Sequence, residues 1–442
     1  MLRRNRVLLL LVVLAAAAGD PAEPACAGDA DTELVIGGQV RVRGYSLENM
    51  WDLDGGDDAD RWSVMRHRTR IFARAKLQRG VRGFVRLANQ HWGTGVTGAE
   101  GDDRWEADNK SGKVFVDAAW IELNEAFGLP LDARLGRQDF FYGGGLVICD
   151  GQPQLASTAN YLDGVRLRVA AGAHVDVDLL YLKDQENARA DAAHDDVTLS
   201  GLYVVRRVDG DRTAVDLYVL RREDQSLGKD VRMLGARLAR DPGAGLDYDL
   251  EAALQRGDFA SGTSHEAFGG DARLGWTFAN AAWSPRLHAG FVALSGDDPG
   301  TVSFNERWDV FYGGWPRHGD LLAWTYINLG AGNAMSVYDP AYGDGSSQIG
   351  EVVYGNLLMT TCGVDLAPGA DLRLGASASR LRAHYAPGGA LDIGTYWQLN
   401  VRYAYTPQLS LALYAALLQP GDAYGPGADA AHEIFWETRL TF

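Results

Sequence analysis

The stretch VMRHRTRIFARAK, residues 64–76, places a cation at nearly every second position of a chain whose formal net charge is −16. In a helix these charges would be scattered around the circumference. In a strand, four arginines share one face: Arg66, Arg68, Arg70 and Arg74. The opposite face is apolar except for one histidine and one threonine, so one face favours water or anions and the other avoids water. Taken alone, the pattern also fits a solvated edge strand of a soluble antiparallel sheet.

An alternation of polar and apolar residues recurs along most of the chain. HVDVDLLYL at 174–182 and YWQLNVRYAY at 396–405 are examples. Short turn clusters such as 209–212 alternate with long polar loops such as 93–112. Tight turns at one end and extended loops at the other are typical of outer-membrane barrels. We therefore predict an all-β fold, a transmembrane antiparallel β-barrel of about 18 strands with short periplasmic turns and long extracellular loops.

The beginning of the chain has the organisation of a secretory signal peptide. Three arginines precede an apolar run at residues 7–18, and small residues follow up to Ala27. This run is shorter than the about 20 residues that a membrane-spanning helix needs, and no later run is longer. We predict a signal peptide at residues 1–27 and a single outer-membrane β-barrel domain at residues 28–442. A lipoprotein cleavage site at Cys26 is the alternative.

Composition narrows the function classes. Removal of residues 1–27 takes away three arginines and two acids, so the formal charge of −16 becomes −17. We expect no nucleic-acid partner for so acidic a chain. Only Cys149 and Cys362 would remain, which excludes a disulfide scaffold. The sequence has no CxxC, HExxH, GxxxxGK[ST] or GxSxG motif, so we predict no enzyme activity, no catalytic residues, no cofactor and no metal site.

The last residues, HEIFWETRLTF at 432–442, end the chain on an aromatic residue. Alternation places Trp436, Leu440 and Phe442 on one face of the final strand. Such a strand resembles the terminal strand that outer-membrane barrels present to their assembly machinery. We therefore predict a barrel assembly signal in these three residues, with the barrel-assembly machinery and outer-membrane lipid as partners.

The position of the lipid decides where the arginines point. A charge facing lipid at the membrane midplane costs about 2 to 4 kcal/mol, so the charged face must line the lumen. The arginines that alternation places on the lumen side are Arg41, Arg43, Arg66, Arg68, Arg70, Arg74, Arg82, Arg86, Arg166 and Arg168. Guanidinium groups bind carboxylates through paired hydrogen bonds, so we predict an arginine-lined pathway for anions.

The same alternation predicts an acidic lumen sector. Its members are Asp176, Asp178, Asp247, Asp249 and Glu251. These carboxylates either neutralise arginines across the lumen and brace a wide barrel, or take part in selectivity, and the sequence leaves both roles open.

Three stretches resemble the alginate export porin family of outer-membrane barrels. They are ARLGRQDFFYGGGLVI at 133–148, NYLDGVRLR at 160–168 and RWDVFYGGWPRHGDL at 307–321. In the second stretch Leu162 replaces the usual aromatic residue. The resemblance implies a monomeric barrel of about 18 strands. It also implies a conduit that passes a polyanionic uronic acid polymer out of the periplasm, with a periplasmic secretion complex as a partner.

The resemblance adds Arg137 to the candidate conduit arginines. They would be drawn from Arg66, Arg68, Arg70, Arg86, Arg137, Arg166 and Arg168. Arg137 has an alternative role as a structural arginine that anchors the adjacent turn, because Leu135 and Asp139 share its face.

Two other function classes stay open. An uptake porin for small anionic solutes such as sugar acids would share every barrel feature. An outer-membrane lipid hydrolase would need a serine–histidine pair on the lipid-facing surface, where alternation places His67. Long loops such as 93–112 and 296–320 either fold into the lumen as constrictions or stand outside it.

Overall fold

The computed structural model describes residues 32–49, 53, 55–56, 61–92, 114–150, 161–184, 197–313 except 226, 261 and 299, and 355–442 except 387–388. The strands are β1 Glu33–Glu48, β2 Trp62–Lys76, β3 Val81–Trp92, β4 Val114–Leu123, β5 Leu131–Arg137, β6 Phe140–Tyr142, β7 Ile148–Asp150, β8 Asp163–Ala170, β9 Val175–Lys183, β10 Val197–Val208, β11 Thr213–Asp224, β12 Lys229–Arg240, β13 Gly245–Ala260, β14 Thr263–Thr277, β15 Arg286–Leu294, β16 Phe304–Asn305, β17 Leu357–Leu366, β18 Leu372–Arg382, β19 Asp392–Ala404, β20 Leu409–Pro420 and β21 Ala431–Thr441. Short 3-10 turns lie at Gln78–Gly80, Ala126–Gly128 and Asp422–Tyr424. The predicted signal peptide lies outside the described residues.

Eighteen of these strands form a closed antiparallel barrel, which confirms the predicted fold class. Strands that neighbour each other along the barrel wall also follow each other in the chain. Three short strands, β6, β7 and β16, lie in the connections between wall strands and are not part of the wall. Closure is completed where β1 pairs with β2 on one side and with β21 on the other. A closed barrel satisfies every backbone group within the wall, which is what a lipid environment requires.

The alternation in β2 decides which face meets the lipid. Arg66, Arg68 and Arg70 are buried on the inner face, whereas Ile71 is exposed on the outer face. Large apolar side chains are likewise exposed on the outer face of other strands, including Leu217, Leu234 and Leu254. Such a belt of apolar side chains is the surface that a transmembrane barrel presents to lipid.

The two ends of the barrel differ in the length of their connections. At one end, here called the turn end, four-residue connections lie at 77–80, 171–174, 241–244 and 405–408. The connections at the other end, the loop end, include the long segments 138–162 and 295–356. By the usual arrangement of outer-membrane barrels, the turn end faces the periplasm.

Part of the long connections folds inward and forms a layer inside the barrel, here called the inner layer. Strands β6 and β7 pair as a hairpin whose turn contains the glycine triplet at 143–145. Ile148 of this hairpin pairs in parallel with Tyr312, which belongs to the 295–356 connection. The Tyr312 amide donates to the Val147 carbonyl (3.1 Å), and the Cys149 amide donates to the Tyr312 carbonyl (2.7 Å).

The inner layer explains why apolar residues also occupy the inner face of the wall. Leu182, Leu199, Leu220, Val231 and Met233 alternate with outward-facing residues, yet they are almost completely buried in the apolar core that includes the inner layer. Alternation alone predicts an apolar outer face and a polar inner face. The difference arises because the loop half of the lumen is packed with protein instead of water.

A row of three tyrosines joins the inner layer to the wall. The rings of Tyr142, Tyr203 and Tyr218 stack with centroid distances of 4.3 and 5.2 Å. Tyr218 lies over Gly235 on the neighbouring strand, where a Cβ atom would come within 2.2 Å of the Tyr218 ring. The absence of a side chain at Gly235 therefore allows the ring to lie flat against the wall.

We predict that Gly235→Ala destabilises the barrel. The added methyl group must displace the Tyr218 ring, and overpacking of this kind costs about 1 to 3 kcal/mol. The temperature at which the folded band is lost on SDS gels should therefore fall. Gly83→Ala is the matched control, because a Cβ at Gly83 meets no atom within 4 Å. Equal loss of stability in both variants would contradict the role given to Gly235.

Candidate solute channel

The N-terminal arginines lie side by side on the inner face of β1 and β2. Arg41 is opposite Arg68, and Arg43 is opposite Arg66, in the register of the two strands. With Arg70, these side chains are only 2–9% exposed. They are buried and do not form an open wall, and their part in a solute pathway stays a prediction.

Polar partners surround this arginine group. Arg43 pairs with Glu437 of β21 and donates to the Tyr45 hydroxyl at 2.8 Å. Arg68 donates to the Gln39 side chain at 2.7 Å and Arg66 donates to the Gln90 side chain at 3.1 Å. Arg70 forms an ion pair with Asp117 at 2.9 Å. The guanidinium groups of this group are therefore engaged in hydrogen bonds and ion pairs within the wall.

A second group of arginines converges on two carboxylates of β4. Arg134 and Arg166 approach Glu122 at 2.5 and 3.5 Å, and Arg82 approaches it at 3.4 Å. Arg86 pairs with Asp117, and both of its terminal nitrogens donate to Asp139 at 2.7 Å. Arg134 also lies over the Trp120 ring at 4.0 Å, a cation–π contact. Arg134 is a lumen arginine that the sequence analysis did not single out.

The predicted acidic residues all lie on the inner face, and the structure gives each of them a partner. Asp176 pairs with Arg207 at 2.9 Å, and Asp178 pairs with Arg168 at 2.7 Å. The Tyr142 hydroxyl also donates to Asp178, at 2.5 Å.

Three further acids of the predicted acidic sector lie on β13. Asp247 pairs with Arg286 at 2.6 Å and Asp249 pairs with Arg237 at 2.6 Å. Glu251 accepts from the Tyr218 hydroxyl at 3.1 Å. For four of these five acids, the ion pairs fit the first of the two roles that the sequence leaves open, neutralisation of arginines in the lumen, and a role in selectivity stays a prediction.

Alternation could have shown the cationic partners Arg207, Arg237 and Arg286, since each occupies an inward position of its strand. What a single strand cannot reveal is which charges stand opposite each other. That information depends on the register between strands, for example the pairing of Asp216 with Arg237.

The inner layer is held at the loop end by a buried ion-pair cluster, here called the latch. Its members are Asp309 of the 295–356 connection and two wall cations, Arg222 and Lys229, all at most 6% exposed as side chains. Lys229 Nζ lies 2.8 Å from Asp309, and Arg222 lies 3.4 Å away. The Asp309 amide also donates to the Gln255 side chain at 2.9 Å.

Electrostatics keep the latch ionised. Burial alone would raise the pKa of the Asp309 carboxyl, but Lys229 and Arg222 outweigh burial and hold this pKa below its ordinary value. Because the pKa of this carboxyl is lower in the folded protein than its ordinary value of about 3.9, the ion pairs stabilise the fold fully at pH values above about 3.9. This stabilisation is lost only as the pH falls below that value. The ion pairs of the latch are therefore formed at neutral and mildly acidic pH.

Four arginines line the inner face close to the turn end, in strands β2, β18, β19 and β21. They are Arg74, Arg373, Arg402 and Arg439, each no more than two residues from the turn end of its strand. All four are exposed. In the part of the chain that the structure describes, none of them forms an ion pair with a carboxylate. We call this set the basic rim, and of its members the sequence analysis singled out only Arg74.

Arg137 departs from the predicted lumen position. It follows Leu135 on the outer face of β5 and forms a two-point ion pair with Asp163 of β8, with both distances at 2.8 Å. Its guanidinium also lies 5.2 Å from the Tyr161 ring. The placement of Arg137 in the conduit is therefore wrong, and the alternative structural role fits the contacts.

The final strand closes the barrel at its C-terminus. The Phe442 amide donates to the Gly38 carbonyl (3.0 Å), and the Gly38 amide donates back to Phe442 (2.9 Å). Trp436, Leu440 and Phe442 are exposed on the outer face, as alternation predicts. Their role as a barrel assembly signal stays a prediction.

Other chemistry is limited within the described residues. There, no group of three or more His, Cys, Asp or Glu side chains is placed to hold a metal ion. In the same part of the chain no helix is long and apolar enough to cross a membrane. Cys149 and Cys362 are not joined by a disulfide.

A closed barrel with a charged lumen, narrowed by segments of its own chain, defines a channel of the outer membrane. Residues 33–437 match the alginate export family, and the chain belongs to that family. The predicted family and the predicted outer-membrane location are thereby confirmed. The sequence matches no individual curated protein.

Solved structures of outer-membrane channels share the fold. The BenF-like porin of Pseudomonas fluorescens Pf-5 has a TM-score of 0.57 at 10% identity, with 93% of this chain and 99% of that chain covered. Acinetobacter baumannii OccAB1 has a TM-score of 0.57 at 13% identity, with 92% and 97% covered. Pseudomonas aeruginosa OpdO has a TM-score of 0.56 at 14% identity, with 92% and 97% covered. At these identities the similarity concerns the fold.

We predict that Asp309→Asn releases the inner layer. The substitution removes the buried carboxylate that Lys229 and Arg222 share, and loss of one partner of a buried pair costs roughly 3 to 5 kcal/mol. The mean single-channel conductance should rise and its fluctuations should increase. Wild-type conductance should stay constant from neutral pH down to about pH 5, because Asp309 remains ionised above its ordinary pKa of about 3.9.

Asp241→Asn is the control for this experiment, because it removes the same charge at an exposed position of the turn end. A conductance trace of Asp309→Asn that matches wild type and this control would show that the latch does not hold the constriction.

Proposed function

We propose that the protein is an outer-membrane channel that passes an anionic polysaccharide, an alginate-like polyuronate, across the outer membrane. Membership of the alginate export family supports this substrate class. The observation that carries the proposal is the basic rim, a set of exposed arginines at the mouth of the lumen that form no ion pair with any carboxylate in the described part of the chain. We also propose that the channel works as a monomer without a cofactor or enzymatic activity.

The two kinds of lumen arginine would play different parts. Paired arginines such as Arg86, Arg168 and Arg237 already bind carboxylates of the wall, so their positive charge is locally neutralised. Arginines of the basic rim retain their charge and attract an anion, while the acidic chain as a whole would repel it. A uronate carboxylate can accept two hydrogen bonds from one guanidinium group, which suits a polymer that moves from one arginine to the next.

The position of the basic rim suggests where the polymer enters. The turn end faces the periplasm in this class of barrel. A solute that leaves the periplasm would therefore meet the basic rim first. We propose that a periplasmic secretion complex delivers the polymer to this end.

A channel for small anions such as sugar acids is the second candidate. The inner layer favours it, because Tyr142 and Tyr312 occupy part of the lumen and narrow the pathway. The two candidates differ in whether a long polyuronate can block or thread the channel.

Removal of the basic rim should reduce anion preference. We predict that Arg74→Ala/Arg402→Ala/Arg439→Ala lowers the anion-to-cation permeability ratio by roughly fivefold, which corresponds to about 1 kcal/mol, the Coulomb energy of two unit charges 4 Å apart in water. Arg373 is left in place because it also donates to the carbonyls of Gly369 and Leu372, at 2.7 and 2.9 Å. Oligouronate added at the turn end of oriented channels should block wild type and fail to block the variant.

The matched control is Arg206→Ala/Arg232→Ala/Arg256→Ala, which removes three exposed arginines from the outer face. The same change in both triple variants would mean that overall charge, not the basic rim, sets selectivity. Block by small sugar acids without block by the polymer would favour the second candidate.

We also propose that residues 1–27 are removed on export. Protein purified from outer membranes should begin at Gly28, as measured by N-terminal sequencing and intact mass. A lipid-modified N-terminus at Cys26 would contradict this proposal.

A further inference from the structure

A cavity of about 250 Å³ lies on the inner face of the wall between β14 and β19. One side of it carries the ion pairs of β14, β15 and β17. The other side carries uncharged polar side chains, Ser377 of β18 with Gln398 and Asn400 of β19. We call this cavity the neutral pocket.

The charged side of the neutral pocket is internally balanced. Arg273 donates two hydrogen bonds to Asp271, at 3.1 and 3.2 Å. Arg286 bridges Asp247 at 2.6 Å and Asp365 at 2.9 Å. A free anion therefore meets carboxylates as well as cations here, and a free cation meets arginines.

The uncharged side has hydrogen-bonding capacity to spare. Within the described residues, the Ser377 hydroxyl and the Asn400 amide form no hydrogen bond to protein. The Gln398 carbonyl oxygen accepts from the Tyr414 hydroxyl at 3.0 Å, while its amide nitrogen is not engaged there. Gly375 makes room for Asn400, since a Cβ at this glycine would lie 2.4 Å from the Asn400 amide nitrogen.

This combination fits a sugar ring through its hydroxyl groups. A hydroxyl group both donates and accepts, and an Asn or Gln amide offers a donor and an acceptor side by side. Ion-paired aspartates add acceptors without a net charge. The volume of about 250 Å³ lies below the about 300 Å³ at which pockets for drug-sized ligands begin, so the occupant is a single small ring.

We propose that the neutral pocket is a subsite that binds one sugar ring of the transported solute by its hydroxyl groups, independently of any carboxylate. The proposal rests on the proposed function for the delivery of a saccharide to the lumen. It goes further because it assigns recognition of the hydroxyls to β18 and β19 and leaves attraction of the carboxylate to the basic rim.

The test is titration of channel block in planar bilayers with three probes. Methyl glucopyranoside has hydroxyls and no charge, glucuronic acid has both, and cyclohexanecarboxylate has the charge without hydroxyls. Wild type should be half-blocked by the first two at lower concentration than by the third. Ser377→Ala/Asn400→Leu should raise the half-blocking concentration of methyl glucopyranoside by about tenfold, as loss of one or two hydrogen bonds predicts.

The control is Ser200→Ala/Gln419→Leu, which removes a hydroxyl and an amide from the outer face. If the pocket variant does not fold, Ser377→Ala alone gives the same readout with a smaller change. Equal block of wild type, variant and control by methyl glucopyranoside would overturn the subsite. If oligouronate still blocks the channel in that case, the proposed function stands. If oligouronate does not block the channel while methyl glucopyranoside distinguishes wild type from the pocket variant as expected, only the proposed function is overturned.

Discussion

The structure depends on one constraint, the need of every backbone amide and carbonyl to find a partner where no water is present. A sheet closed on itself meets this need, and closure forces side chains to alternate between lipid and lumen. Because a charge that faces lipid at the membrane midplane is costly, wall charges such as Arg237 and Asp249 are directed inward. Once inside, they form ion pairs across neighbouring strands, as Arg237 does with Asp249. The charge pattern of the lumen is thus a consequence of backbone hydrogen bonding.

A barrel of 18 strands encloses more space than its own wall side chains fill, and this chain uses its long connections to fill part of it. The inner layer is fixed by two different chemistries. Tyrosine hydroxyls bind wall carboxylates at one place, and the latch buries Asp309 between two cations at the other. Near the turn end, by contrast, the exposed arginines of the basic rim form no ion pair with a carboxylate of the described residues. The lumen therefore divides along its length into a packed half and a charged mouth.

Much of this architecture could be predicted from alternation, because one strand suffices to show which residues face inward. The inward positions of Arg66 and Asp178 are examples. Partners could not be predicted, since the pairing of Asp178 with Arg168 depends on the register between strands. The inner hairpin could not be predicted because β6 and β7 have three residues each, which is too few to show an alternation of polar and apolar residues. Arg137 was misplaced because a family resemblance outweighed its neighbour Leu135, whose exposed side chain indicates the outer face.

The seam between β1 and β21 joins the first and last strands of the wall, which are the strands furthest apart in the chain. Local hairpins can form early, since each needs only a short turn, but this pairing needs the whole intervening polypeptide. Until the last residue has arrived, both edge strands expose rows of unpaired amides and carbonyls that favour misassociation. The fold is therefore complete only after export is complete, and a chain that lacks its final strand is left with two open edges instead of a smaller channel.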